Sequence, residues 1–169
     1  MSNINRGTVI LGTFLIAIGL IYLVLNFIPG LNPGDTWPII FFILAAGFYA
    51  PAFLWKSAQR GLAGLFIPGS IMLALGLIFT YDVLTEDWAS WAYAWLLIPG
   101  GVGLGLWLGS TVGQWGKGAT QTGLWMMAVT VGLFAIFATI FAASEAMRLL
   151  GPVVIILAGA FILFRVFRK

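Results

Sequence analysis

The sequence predicts an all-α integral membrane protein: six transmembrane helices, arranged as three parallel-topology helical-hairpin repeats of about 56 residues each. Three observations predict it. Hydrophobic residues make up 62% of the 169-residue chain and charged residues only 8%, whereas a soluble domain carries about a quarter charged residues. The basic residues fall almost entirely on one set of connections. And the phrases "IAIGLIYL", "LALGLIFT" and "VTVGLFAI" align on Gly19, Gly76 and Gly132, which are 57 and 56 positions apart.

A bilayer core about 30 Å thick takes roughly 20 apolar residues as a helix, and six such segments follow one another. The first runs from about Thr8 to Ile28, the second from Trp37 to Trp55, and the third from Leu62 to Tyr81. The fourth runs from about Ser90 to Leu108, the fifth from Gly123 to Ala143, and the last from near Leu150 to near Phe167. Arg6 ahead of an apolar run invites a signal-peptide reading. That run is too long and no small-x-small site follows it, so a retained helix is expected.

Charge sets the orientation. The even connections and the termini hold Arg6, Lys56, Arg60, Lys117, Arg165, Arg168 and Lys169. The odd connections hold Asp35, then Asp82, Glu86 and Asp87, then Glu145 and Arg148. Seven of eight basic residues share one side and all five acids the other. The positive-inside bias predicts a multi-pass protein of the cell inner (plasma) membrane with both termini cytoplasmic. Trp37, Trp55, Trp88, Trp91, Trp107, Trp115 and Trp125 sit at or near expected helix ends, where the indole prefers the headgroup level, and Trp95 lies deeper.

The second helices of the repeats align as well, with "WPIIFFILAAG" from Trp37, "WLLIPGGVGLG" from Trp95 and "GPVVIILAGAF" from Gly151. The expected organisation is one transmembrane domain over residues 1–169. It comprises hairpins at 6–55, 60–109 and 119–167, with a Gly-rich cytoplasmic linker at 110–122. Each hairpin starts and ends inside, unlike the inverted repeats of many secondary transporters.

Gly12 and Gly19 share a helix face, as do Gly69 and Gly76, while Gly101, Gly105, Gly109 and Gly113 recur every four residues. In lipid, small residues let helix backbones approach. These glycines are expected at helix contacts, within or between hairpins, or along a groove for a lipid tail or a partner helix. The Gly101–Gly105–Gly109 face is the candidate for contact with another chain. Pro51, Pro68 and Pro99 are expected to interrupt helices and free the carbonyls of Gly47, Gly64 and Trp95. Pro38 and Pro152 fall in first turns, where proline is at home.

"DVLTEDW" places Asp82, Glu86 and Asp87 together on the outer side. One reading is a helix start, with Thr85 as cap and the two following acids at the positive end of the dipole. Another is an outer docking surface. Calcium is the third, although the spacing matches no calcium loop. "NPGDTWP" reads as a turn from Asn32 to Gly34 with a cap at Asp35 or Thr36. "GQWGKGATQTG" fails as a phosphate loop, because Gly118 follows Lys117 where Ser or Thr is needed.

Cysteine and histidine are absent, which removes disulfides, thiolate metal sites and imidazole ligands. The expected membrane interior holds no ionisable side chain, only Thr13, Asn26, Ser70, Thr130, Thr139 and a few tyrosines. That argues against proton-coupled transport and against an enzyme, since no nucleophile–base pair or metal set is present. No cofactor is expected and no nucleic acid partner, since topology explains the basic residues. The expected partners are the lipid bilayer and other membrane protein subunits or the chain itself.

The phrase "ILGTFLIAIGLIYLVLNF…WPIIFFILAAGFY" resembles the membrane region of LiaI/LiaF-type bacterial envelope proteins through Gly12, Gly19, Trp37, Pro38 and Gly47. The three-hairpin layout also resembles HdeD-type acid-resistance membrane proteins. The first resemblance implies a role in cell-envelope stress sensing with partners in the membrane. The expectation is a non-catalytic protein acting through helix contacts, as an accessory subunit or an envelope modulator. The alternative is a passive channel or transporter for a small neutral or apolar molecule.

Overall fold

A computed structural model describes residues 33–141 without interruption. It also describes Gly12, Leu15, Ile16, Gly19 and Leu23 toward one end of the chain, and residues 149, 152–157 and 159–160 toward the other, all helical. The expected first and last helices, with Arg6, Glu145, Arg148 and the C-terminal basic residues, otherwise lie outside the described residues.

Four principal helices are described: α1 (Ile39–Leu54), α2 (Phe66–Thr85), α3 (Leu97–Gly113) and α4 (Lys117–Phe141). With their flanking turns, three helical stretches, Gly34–Leu54, Lys56–Thr85 and Lys117–Phe141, are long and apolar enough to cross a membrane. A fourth span is present if the pair Trp88–Ala94 and Leu97–Gly113, bent by 53°, crosses as one.

The breaks have identifiable causes. Pro68 and Pro99 each lie in the first turn of a helix, where the missing N–H is not needed. The chain bends ahead of Pro99, while the stretch Lys56–Thr85 runs on through the residues ahead of Pro68. The chain forms a 3-10 turn at Ala63–Leu65 before Pro68 and a non-helical turn at Trp95–Leu96 before Pro99. Those are the places where the expected freed carbonyls, Gly64 and Trp95, fall. Pro51 instead sits within a continuous α1. Pro33–Thr36 forms a short helical turn, overlapping the turn expected at Asn32 to Gly34.

The expected linker at 110–122 is mostly helical. Helix α3 continues to Gly113 and α4 begins at Lys117, which leaves Gln114 to Gly116 as the connection. Gln114 takes a left-handed conformation (φ 53°) and Gly116 has φ 102°, which closes the turn in three residues. The Ser110 and Thr120 hydroxyls are hydrogen-bonded across it at 2.8 Å. The Trp115 indole Nε1–H donates to the Arg60 carbonyl at 3.3 Å, tying the turn back to the helical turn Gln59–Leu62 ahead of α2.

The four helices pack in chain order as an antiparallel row. Helix α1 lies on α2, α2 on α3 and α3 on α4, while α1 and α4 are not packed together. One end of the row gathers Lys56, Arg60 and Lys117, with a core of Ala52, Ala63 and Phe66 under Trp115. The opposite end gathers Asp35, Asp82, Glu86 and Asp87. There Trp37 packs on Phe79 at 4.7 Å between ring centroids, and Phe79 on Trp91 at 5.5 Å. A row leaves apolar faces open: Trp125, Val129, Ile136 and Ile140 of α4 and Leu54 of α1 are exposed. In water such faces would drive aggregation, and in lipid they are solvated.

Candidate functional site

Helix α3 is glycine-faced on two sides. On one side Gly101, Gly105 and Gly109 meet α2. A Cβ added at Gly101 would lie 2.8 Å from the Ser70 carbonyl oxygen, and one at Gly109 would lie 2.8 Å from the Ala63 carbonyl oxygen. One added at Gly105 would collide with the Ile67 Cα and come within 2.7 Å of the Phe66 oxygen. On the other side Gly100 and Gly103 meet α4, where Gly103 faces the Gly123 carbonyl oxygen at 2.8 Å and Gly100 faces the Thr130 methyl at 2.8 Å. Gly100 meets a side chain, and the other four are approaches to backbone atoms that any side chain would block.

This placement corrects one expectation. The Gly101–Gly105–Gly109 face is covered by α2 of the same chain and is not open to another chain. Gly69 and Gly76 also lie at contacts within the chain, under the Tyr49 ring at 2.6 Å and the Phe42 ring at 3.1 Å. Gly12, Gly19 and Gly132 have nothing within 4 Å of an added Cβ. The glycines aligned by the repeat, Gly76 and Gly132, therefore occupy different surroundings. Gly100, Gly103 and Gly123 complete the contacts but escape a reading that counts only four-residue spacing from Gly101.

Between α2, α3 and α4 the missing side chains leave a cleft of about 230 Å³. Leu73, Leu77, Leu104, Met127 and Val131 line it, with Ser70 and Thr130 as its hydroxyls. The Ser70 hydroxyl is already paired with the Tyr49 hydroxyl at 2.8 Å. The cleft can take an apolar group and offers little to orient a polar one.

The second feature is polar. Asp82 was expected in an outer loop, but α2 runs one turn further and buries it completely. Ser90, from the 3-10 turn Trp88–Ser90, donates its hydroxyl hydrogen to Asp82 Oδ1. Tyr93 follows three residues later, 1% exposed, packed beside Ala138 and Phe134 of α4. Asp82 Oδ2 and the Tyr93 hydroxyl are buried without a hydrogen-bond partner. Tyr81, Asp87 and Asp82 are the groups that act on Tyr93 electrostatically, although no hydrogen bond of ordinary geometry joins Tyr81 to it.

The expected helix start at Thr85 is also displaced. Thr85 ends α2, its hydroxyl donating to the Tyr81 carbonyl at 2.7 Å, and Glu86 follows in a left-handed conformation (φ 55°). The Thr85 oxygen still accepts from the Asp87 N–H, at 3.4 Å. Glu86 is exposed, Asp87 half-buried and Asp82 buried, so the three acids do not form one outward surface. Ser90 and Tyr93 were not singled out from the sequence. Their signal is a hydroxyl eight residues after Asp82 and another one helical turn further on.

No protein-family profile, curated protein or solved structure matches the chain. Its own geometry therefore carries the functional argument.

Proposed function

We propose that this chain is a non-catalytic polytopic protein of the cell inner membrane that acts through helix–helix contacts. Its role is that of an accessory or scaffold subunit of a membrane complex, or of a modulator of an envelope stress response. In this reading six helices span the bilayer as three hairpins, with both termini in the cytoplasm. The observation that carries it is the double glycine contact of α3, which locks α2, α3 and α4 into a stiff layer. The layer's outward residues, such as Trp125, Val129 and Ile136 of α4, stay apolar and exposed. With the glycine face used internally, the α4 face and the outer end of α1 at Phe53 and Leu54 are surfaces left, among the described residues, for lipid or another subunit. The envelope branch is supported by the resemblance carried by Gly12, Gly19, Trp37, Pro38 and Gly47.

Gentle extraction from the native membrane, followed by sizing and mass spectrometry of co-migrating chains, tests the proposal. Foreign subunits in fixed ratio are expected. A chain that migrates alone contradicts the accessory role.

The apolar cleft between α2, α3 and α4 favours a second reading, a passive carrier of a small neutral or apolar molecule. Flux of such solutes into liposomes holding the purified chain is its test, and no flux across a broad panel contradicts it.

A further inference from the structure

We propose that the C-terminal end of α2 holds one small monovalent cation, of the Na⁺ class, between Asp82, Ser90 and Tyr93. The argument starts from charge. Asp82 is completely buried, and an ionised carboxylate in that state must be paired or neutralised. Among the described residues no Lys or Arg reaches it: α2 has no basic residue in its last turn, and Lys56, Arg60 and Lys117 lie at the opposite end of the row. Among the described residues the other charged groups at this end, Asp35, Glu86 and Asp87, are all acidic, while Glu145 and Arg148, expected on the same side, lie outside the described residues.

The helix itself adds to the negative potential. Asp82 sits in the last turn of α2, where the macrodipole and the free carbonyls favour a cation. Helix C-terminal ends at a chain break are also a recurrent means of holding Na⁺ in membrane proteins. Here α2 ends at Thr85 and the chain reverses through Glu86 in a left-handed conformation.

The donor set fits a hard cation. Asp82 Oδ2 and the Tyr93 hydroxyl are two fully buried oxygens without partners, and Ser90 holds the other carboxylate oxygen in place. Hard cations take carboxylate, hydroxyl and carbonyl oxygens. One buried carboxylate balances a single positive charge. Among the described residues no three acidic side chains converge as a divalent cage needs. Glu86 and Asp87 at the rim raise the local cation concentration.

The test uses the full-length chain purified in detergent and choline chloride. Binding of radioactive Na⁺ is measured at equilibrium, and thermal unfolding is followed in NaCl, KCl, CaCl₂ and choline chloride at constant ionic strength and at several pH values. The expected result is one Na⁺ per chain and a rise in Tm of about 5–10 °C at a hundredfold excess over Kd. Asp82→Asn should abolish both effects while remaining at least as stable as the wild type in choline. Tyr93→Phe should keep the fold and weaken Na⁺ binding about tenfold. Wild-type protein that binds no Na⁺ overturns the proposal, as does an Asp82→Asn protein that still responds to Na⁺. Stabilisation by Ca²⁺ alone, or by acid alone with Na⁺ inert, also overturns it. Should Asp82→Asn fail to fold, wild-type binding and the Tyr93→Phe shift decide the question.

Discussion

Replacing Gly105 with alanine adds one methyl group between the backbones of α2 and α3. The new Cβ would lie 2.7 Å from the Phe66 oxygen and 2.9 Å from the Ile67 nitrogen, whereas ordinary contact begins at 3.4 Å. The neighbours are backbone atoms and have no rotamer to change. The Ile67 Cα lies closer still, so the helices must part by about 1 Å, enough to lose a quarter to a half of the dispersion energy of each atom pair across the seam. That seam includes the close approaches of Gly101 to Ser70 and Gly109 to Ala63. Overpacking of this kind costs about 1–3 kcal/mol, with a rigid neighbour placing it at the upper end. Alanine returns about 1 kcal/mol through helix propensity. The net expectation is a loss of about 2 kcal/mol, seen as a fall in Tm of about 4–8 °C. Thermal unfolding in detergent, followed by intrinsic tryptophan fluorescence, measures it. A Gly105→Ala protein as stable as the wild type refutes the close α2–α3 seam.

Gly132→Ala is the matched opposite: the residue is helical with nothing within 4 Å of the added Cβ. It should gain about 0.5–1 kcal/mol in the same assay. Ser70→Ala removes the buried hydroxyl pair with Tyr49 and should lose about 1 kcal/mol. The double variant with Tyr49→Phe should lose less than the sum of the two single losses, read from a double-mutant cycle. Gln114→Gly relieves the left-handed conformation at φ 53° and should raise stability by about 1 kcal/mol in a denaturant titration.

Much of this architecture is legible in the residues. Apolar length alone places α1 within two residues and α2 within four, but α3 starts seven residues later than expected and α4 six residues earlier; Pro99 marks the one bend among the described spans. The glycine periodicity signals close backbone approach but not whose backbone approaches. A four-residue repeat looks the same whether a neighbour in the chain or a separate subunit covers it. Asp82 misleads for a related reason. A charge beside an apolar run reads as the run's end, yet Ser90 and Tyr93 fold over it and the helix continues past it. The segment at 110–122 reads as a linker from its glycines. It is helical because tertiary contacts override propensity: Gly113 packs against Ala63 and Trp115, and Gly123 against Gly103 and Trp107.

The central claim is that the α3 glycine face is covered from within the same chain, and an engineered cysteine pair tests it most directly. The native sequence has no cysteine, so Leu77→Cys with Leu97→Cys gives a clean background. The two leucines line the same cleft, one from α2 and one from α3, and neither replacement puts a side chain where a glycine stands. A short thiol-to-thiol cross-linker applied in the native membrane, followed by gel analysis, should give a cross-linked monomer at a yield independent of expression level. Co-expressed single-cysteine chains should give no dimer. A cross-linked dimer, or no cross-link at all, contradicts the account.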